Sequence, residues 1–178
     1  MHDSFYIQQV LAGHSDAFRM LYRNYASSAW QLAIGICKNQ HWAEDAVQNA
    51  FVQAFRHLHA FKELSSFKTW LMRIVFRECL AKLKNEQKRR WDAFSPGHET
   101  EPDWTPIESS DSLNFERKEQ VQMALQQLTE KESLVLNLFY LHELNLKETA
   151  EVTGYSESNV KVILHRARKN FKTIYKNL

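Results

Sequence analysis

The sequence predicts an all-α protein built as two small helical domains, and three observations carry that prediction. Glycine and proline are scarce, with four and three copies in 178 residues, while Leu, Ala, Lys, Glu, Gln and Arg are plentiful, a mixture that favours helix over sheet. Apolar residues recur at helical spacing through two long stretches. All three prolines fall between those stretches, in FSPGHETEPDWTPIESSDS, which has few aliphatic residues and reads as a linker. The expected division is a first domain at 1–91, a linker at 92–114 and a second domain at 115–178, the last small but within the range that folds alone. The two halves do not resemble each other, so no internal repeat is expected.

The chain start, Met1 to Tyr6, has no basic segment followed by an apolar one, and the longest greasy run, Ala29 to Cys37, is interrupted by Gln31 and too short to cross a bilayer. A cytoplasmic protein with no direct membrane insertion is expected. Its two cysteines, Cys37 and Cys79, lie in apolar periodic segments, and neither has a second cysteine at metal-ligand spacing. That is cytosolic usage and not a disulfide framework.

From about Ser15 to Arg90 the helical periodicity is unbroken by proline. In AEDAVQNAFVQAFRHL, Ala46, Val47, Ala50, Phe51, Ala54, Phe55 and Leu58 form a core-facing stripe, and Glu44, Asp45, Gln48, Asn49 and Arg56 lie opposite. Read alone, that polar stripe is ambiguous, and a solvated helix face is a more common meaning of it than a docking face.

The strongest local signal is C-terminal. Thr129 is placed as an N-cap, with Glu132 three residues on completing a capping box. Leu134, Val135, Leu138, Phe139 and Leu141 are expected to form the apolar face of the helix that begins there. A short helix near Leu146 contains Lys147 to Val152, Gly154 supplies a left-handed turn, and Ser156 caps a last helix from Glu157. Short helix, glycine turn, longer helix is a helix-turn-helix. On the last helix Val160, Leu164, Ala167 and Phe171 should face inward, while Ser158, Lys161, Val162, His165, Arg166 and Lys169 project outward. Cations around short side chains able to touch base edges are what a major-groove reader requires.

Net charge is only +2, so the distribution says more than the sum. Lys82, Lys84, Lys88, Arg89 and Arg90 form one basic cluster, and Lys161, Arg166, Arg168, Lys169, Lys172 and Lys176 form another. Between them Asp92, Glu99, Glu101, Asp103, Glu108, Asp111 and Glu116 occur without a Lys or Arg. Two basic surfaces joined by an acidic connector are expected.

The segment FKELSSFKTWLMRI, Phe61 to Ile74, joins these observations. With Ala43-Glu44-Asp45, Gln48 and Phe51 before it, it resembles the promoter-melting domain of extracytoplasmic-function sigma factors, where an AED-x-x-Q-x-x-F helix precedes a short loop and an F-x-x-W-L-x-R-I helix. The C-terminal half is similar to that family's other domain, with Leu128 and Glu132 as L-x-x-x-E and Val160 to Arg168 as V-K-x-x-L-H-R-A-R. The resemblance covers nearly the whole chain and implies a subunit that binds core RNA polymerase and directs it to promoters. It implies that Asp45, Gln48, Asn49 and Arg56 dock on the beta-prime clamp helices, with the beta flap as a second polymerase contact. The loop Lys62, Glu63, Leu64, Ser65 and Ser66 would receive a flipped base of the minus-ten element. Phe67 and Trp70 would stack on unpaired bases, although aromatics at this spacing also fit core packing. Arg73, Arg77, Lys84, Lys88, Arg89 and Arg90 would neutralise the strand backbone. Ser156, Ser158, Lys161, Val162, His165, Arg166 and Lys169 would face the minus-thirty-five element. The acidic connector would thread the polymerase's RNA exit path, and an inhibitory anti-sigma partner, often membrane-bound in this family, is implied.

Three residues depart from the family pattern. Arg77 stands where many relatives have asparagine, Thr149 replaces an aliphatic residue in the helix before the reader, and Asn49 stands where glutamate is common. None removes a feature that the fold requires.

Two other function classes fit the sequence less well. An enzyme is disfavoured because no HExxH, glycine-rich phosphate loop, nucleophile elbow or clustered Cys/His set is present, and His57 and His59, two apart on an expected helix, face different ways. No cofactor or metal is called for. A conventional helix-turn-helix regulator, binding duplex operator DNA without polymerase, shares the C-terminal evidence, but a sensor half has no reason to carry FKELSSFKTWLMRI.

Overall fold

The computed structural model describes residues 3–92, 120, 121, 123–125 and 127–177, with only the backbone course given for 87–92. The expected linker, 92–114, and the acidic run within it lie outside the described residues except for Asp92, which ends a helix. Every regular element described is helical, and the chain divides into two compact units, Met1–Trp104 and Thr105–Leu178.

In the first unit α1 (Asp3–Leu11) leads through a 3-10 turn, Ser15–Ala17, into α2 (Phe18–Cys37), α3 (Gln40–Arg56), a second 3-10 turn, Leu58–Ala60, and α4 (Phe67–Asp92). Helices α2, α3 and α4 pack pairwise against one another. Ala43, Ala46, Ala50 and Ala54 line the buried side of α3, and side chains this small let its backbone approach the neighbouring helices closely. Leu21, Leu32, Leu58, Leu71, Met72 and Val75 fill the space they leave. Helix α3 starts three residues before Ala43, because Asn39 accepts a hydrogen bond from the Trp42 N–H at 3.0 Å. Helix α1 is not visible in the apolar pattern; it is held by buried Ile7 and by a hydrogen bond from the Tyr25 hydroxyl to the Asp3 carboxylate.

Two expectations in this unit need correction. Phe55, expected in the core stripe, is 42% exposed and packs edge-on against Phe18 at the margin. The α3 helix ends at Arg56, so His57 caps it and His59 falls in the 3-10 turn that follows, and their ring centres lie 6.2 Å apart. Among the described residues no group of three or more possible ligands could hold a metal.

In the second unit α5 (Glu130–Leu136), α6 (Leu146–Thr153) and α7 (Glu157–Lys176) enclose a core of Leu128, Val135, Leu136, Ala150, Val160, Leu164 and Ala167. The capping box at Thr129 forms: Glu132 N–H donates to the threonine hydroxyl at 3.4 Å, and the Glu132 carboxylate accepts from Thr129 N–H at 3.3 Å. The same carboxylate accepts from the Asn170 amide at 2.8 Å, tying the start of α5 to α7.

After Leu136 the backbone widens into a π turn, Asn137–Leu141, closed by His142 N–H to Asn137 C=O at 3.0 Å. A π turn takes up more residues than an α turn and so rotates the side chains beyond it about the helix axis. This corrects the apolar face expected there: Val135 and Leu138 are buried, but Leu141 is 60% exposed.

Candidate polymerase- and DNA-binding surfaces

On α3, Asp45, Gln48, Asn49 and Arg56 are all exposed, and at 100° per residue they fall in one stripe. Val52 lies in the middle of that stripe and is 47% exposed. Beside it the partly open rings of Phe55 and Tyr22 pack on Phe18 and Phe51. Sequence reading finds the polar residues and misses Val52, an apolar residue that lies on the exposed side of α3. Asp45 is also held from inside the unit: its carboxylate pairs with Lys82 of α4 at 2.7 Å. Lys82 reaches Glu86 as well, at 3.8 Å, so it is engaged in helix packing and is withdrawn from the basic cluster to which the sequence assigned it.

The loop Lys62 to Ser66 stands out from the unit. Glu63 adopts a left-handed conformation, φ 54°, which turns the chain sharply, and the adjacent Leu64 is 85% exposed. Ser66 ends the loop as the cap of α4, its hydroxyl accepting from Thr69 N–H at 3.1 Å and lying 2.8 Å from the Thr69 hydroxyl. That ties one edge of the loop to a rigid helix.

Phe67 and Trp70 part company. The Phe67 ring is 3% exposed and sits among Tyr25, Phe61 and Trp70. It is a core residue, which corrects its assignment as a stacking platform. Trp70 is half-buried against Phe61 and Phe67, so one part of its indole remains at the surface. One and two turns on, Arg73 and Arg77 are exposed, followed by exposed Leu80 and Lys84. Their spacings of three and four make a single stripe running from the loop along α4. The side chains of Lys88, Arg89 and Arg90 lie outside the described residues.

In the second unit Asn145 caps α6 by a second capping box with Glu148, at 3.0 and 2.9 Å. Gly154 comes next with φ 76°, in the left-handed region that a side chain resists. Ser156 then caps α7, accepting from Asn159 N–H at 3.2 Å. The turn between α6 and α7 is thus fixed at both ends, and it presents Ser158, Lys161, Val162, His165, Arg166 and Lys169 outward while Val160, Leu164 and Ala167 are buried. Phe171 is half-buried against the same core.

Arg168 departs from the basic cluster in which the sequence placed it. Its guanidinium lies 5.4 Å from the ring centres of both Phe139 and Tyr140, and its Nε donates to the Tyr140 hydroxyl at 2.7 Å. It lines an apolar cleft of about 300 Å³ with Val121, Leu125, Leu136, Leu141 and Phe171. The π turn makes this cleft by swinging Tyr140 and Leu141 outward.

Comparison with known proteins bears directly on these surfaces. The profile for Sigma-70 region 2 matches residues 21–89, which hold the α3 stripe, the loop and the α4 stripe, and that for Sigma-70, region 4 matches residues 118–171. The chain belongs to the sigma-70 family. Among its relatives, the ECF RNA polymerase sigma factor SigW of Bacillus subtilis is 28% identical over 179 residues, covering 97% of this chain and 96% of that protein. SigM of the same organism is 28% identical over 158 residues, covering 87% and 93%. Similar folds are seen in the sigma factor RpoE in complex with the anti-sigma factor NepR from Bartonella quintana, with TM-score 0.73, 19% identity and coverage of 89% and 96%. CnrH in complex with the cytosolic domain of CnrY gives TM-score 0.67 and 21% identity, with coverage of 97% and 96%.

This sigma factor is therefore a polymerase-binding, promoter-specific initiation factor of the extracytoplasmic-function type. Sigma factors are not enzymes. The conventional regulator is not favoured, because region 2 occupies the half that a sensor would need. Among the described residues no helix is long and apolar enough to cross a membrane.

Proposed function

We propose that this sigma factor divides initiation among four of the surfaces above. The α3 stripe, Asp45, Gln48, Asn49 and Arg56 with Val52 at its centre, docks on the beta-prime clamp helices of core polymerase. An apolar residue amid hydrogen-bonding groups suits a protein partner, because the apolar contact supplies affinity and the polar rim fixes register. The loop Lys62 to Ser66 receives a flipped minus-ten base, with Trp70 at its edge, and Arg73, Arg77 and Lys84 hold the strand's phosphates. The outward face of α7 meets the minus-thirty-five element in the major groove. The cleft beside Arg168 receives the beta flap, whose apolar side chains would cover Tyr140 and Leu141.

No reaction is catalysed and no cofactor enters. Duplex opening is driven by the binding of flipped and unpaired bases, which offsets the few kcal/mol that unstacking costs. The work belongs in the cytoplasm, where polymerase and promoters are. One solved structure of like fold holds the anti-sigma factor NepR and another holds the cytosolic domain of CnrY, and an anti-sigma partner that competes with polymerase is part of this reading.

The observation that carries it is the presence in one chain of a capped reader helix and an outward, partly apolar α3 stripe that DNA reading alone does not need. The test is affinity for core polymerase. Val52→Asp and Arg56→Glu should each weaken binding at least tenfold while leaving the thermal unfolding curve in place; unchanged affinity in both would remove the α3 stripe from the interface.

A further inference from the structure

Helix α7 buries Val160, Leu164 and Ala167, and it packs Ile163, Phe171 and Ile174 on the same core. Val162 is the large aliphatic side chain that this helix leaves in the open, 48% exposed. At 3.6 residues per turn Val162 lies about 170° from the mean direction of Val160, Leu164, Ala167 and Phe171, with Ser158 and Arg166 about 40° to either side of it. It is therefore the crest of the outward face, the point that stands furthest from the core. Its exposed neighbours on that face, Ser158, Lys161, His165, Arg166 and Lys169, all carry polar or charged groups. A lone exposed valine on a solvated helix has no consequence. This one stands in the second turn after the Ser156 cap, and the N-terminal residues of a recognition helix are those that reach base edges.

We infer that Val162 reads the C5 methyl group of a thymine in the minus-thirty-five element. The inference rests on the reading of α7 as the helix that meets that element, and it adds the base and the atom read. An isopropyl group neither donates nor accepts a hydrogen bond. The edges that base pairs show in the major groove are donors and acceptors, apart from the thymine methyl, so apolar contact there singles out one base. Against a different base Val162 would cover a polar atom and give it no hydrogen bond in return, which is unfavourable. The β-branch helps as well. In a helix valine keeps essentially one rotamer, so its two methyl groups are held in place before DNA arrives and little freedom is lost on contact. Cations that grip phosphates fix the register of the helix on the duplex but carry no sequence information directly. Val162 supplies discrimination that those contacts do not.

The test uses holoenzyme reconstituted from this chain and core polymerase, with a duplex promoter fragment taken from a start site that it selects. Each thymine of the upstream element, on either strand, is replaced in turn by deoxyuridine, which keeps the base pair and removes only the methyl group. The expected result is one position at which uracil weakens binding about fourfold, the worth of one buried methyl-sized group. At that position Val162→Ala holoenzyme should bind the thymine and uracil fragments alike, while its response to uracil elsewhere matches that of the wild type. The replaced side chain is exposed and alanine is the stronger helix former, so the variant folds.

Two results overturn the inference: no uracil position weakens wild-type binding, or Val162→Ala holoenzyme keeps the full loss at the position that does. A scrambled upstream element separates this failure from that of the underlying reading. If scrambling weakens binding and uracil does not, the methyl contact alone falls. If scrambling changes nothing, α7 does not read the minus-thirty-five element and both fall together.

Discussion

Thr149 has no exposed surface in α6, and its hydroxyl oxygen has no hydrogen-bond partner among the described residues. The sequence marked this position as a departure from an aliphatic residue, and the structure gives the departure a physical cost. A buried hydroxyl without a partner loses its hydration for nothing in return, about 1–3 kcal/mol. Thr149→Val should therefore stabilise the second unit by about 1 kcal/mol, seen as slower amide hydrogen exchange along α7; faster exchange would mean that the hydroxyl finds a partner after all. On the outward face of α7, Lys161→Ala or His165→Ala should change preference at one promoter position by about 1–3 kcal/mol if the side chain reads a base edge. Equal weakening on every sequence would make it a phosphate contact. Phe67 and Arg168 show where single residues escape the sequence. Phe67 and Trp70 both pack on Phe61, but the Tyr25 ring packs on Phe67, and Phe67 is buried where Trp70 is half-buried. Arg168 counts as one more cation in the sequence, yet rings far from it along the chain turn it away from the reader face.

At the scale of the element, what was legible is what is local. Thr129 with Glu132, Gly154 and Ser156 set helix ends within a few residues, and each acts where its spacing predicts. The π turn was not legible, since nothing in NLFYL distinguishes it from an α turn, and it carries Leu141 from the expected core to the cleft. The two capping boxes also differ in a way only packing reveals. Glu132 is buried and serves Thr129 and Asn170 together, whereas Glu148 caps the exposed start of α6. Glu132→Ala should cost about 2 kcal/mol, the upper end for a lost cap, and Glu148→Ala about 0.5 kcal/mol. Urea denaturation of the second unit, monitored by tyrosine fluorescence, distinguishes them; equal losses would show that the tether to Asn170 contributes nothing. The Asp45–Lys82 pair joins residues 37 apart in sequence and is largely solvent-facing, so Lys82→Ala should change stability by less than about 1 kcal/mol.

For the whole molecule, a net charge of +2 is too small to hold DNA by itself, so binding depends on where cations are placed. Exposed Arg73, Arg77 and Lys84 line one stripe of α4, and Lys161, Arg166 and Lys169 line α7. Promoter affinity of the reconstituted holoenzyme should fall with salt, and removal of one phosphate-binding cation, as in Arg77→Ala, should lower the logarithmic salt slope by about 1. An unchanged slope would place Arg77 away from the backbone. The all-helical class and the family were legible because two motif sets occur in order along the chain, each tied to short-range spacing. The exposure of Val52 was not, because it is set by how α2, α3 and α4 pack. The most direct measurement is transcription in vitro with core polymerase free of other sigma factors, on mixed genomic fragments, with start sites mapped. Defined starts that appear only when this protein is added, each preceded by shared upstream elements, are the predicted result. No such starts, together with tight binding of the protein alone to duplex DNA, would contradict it.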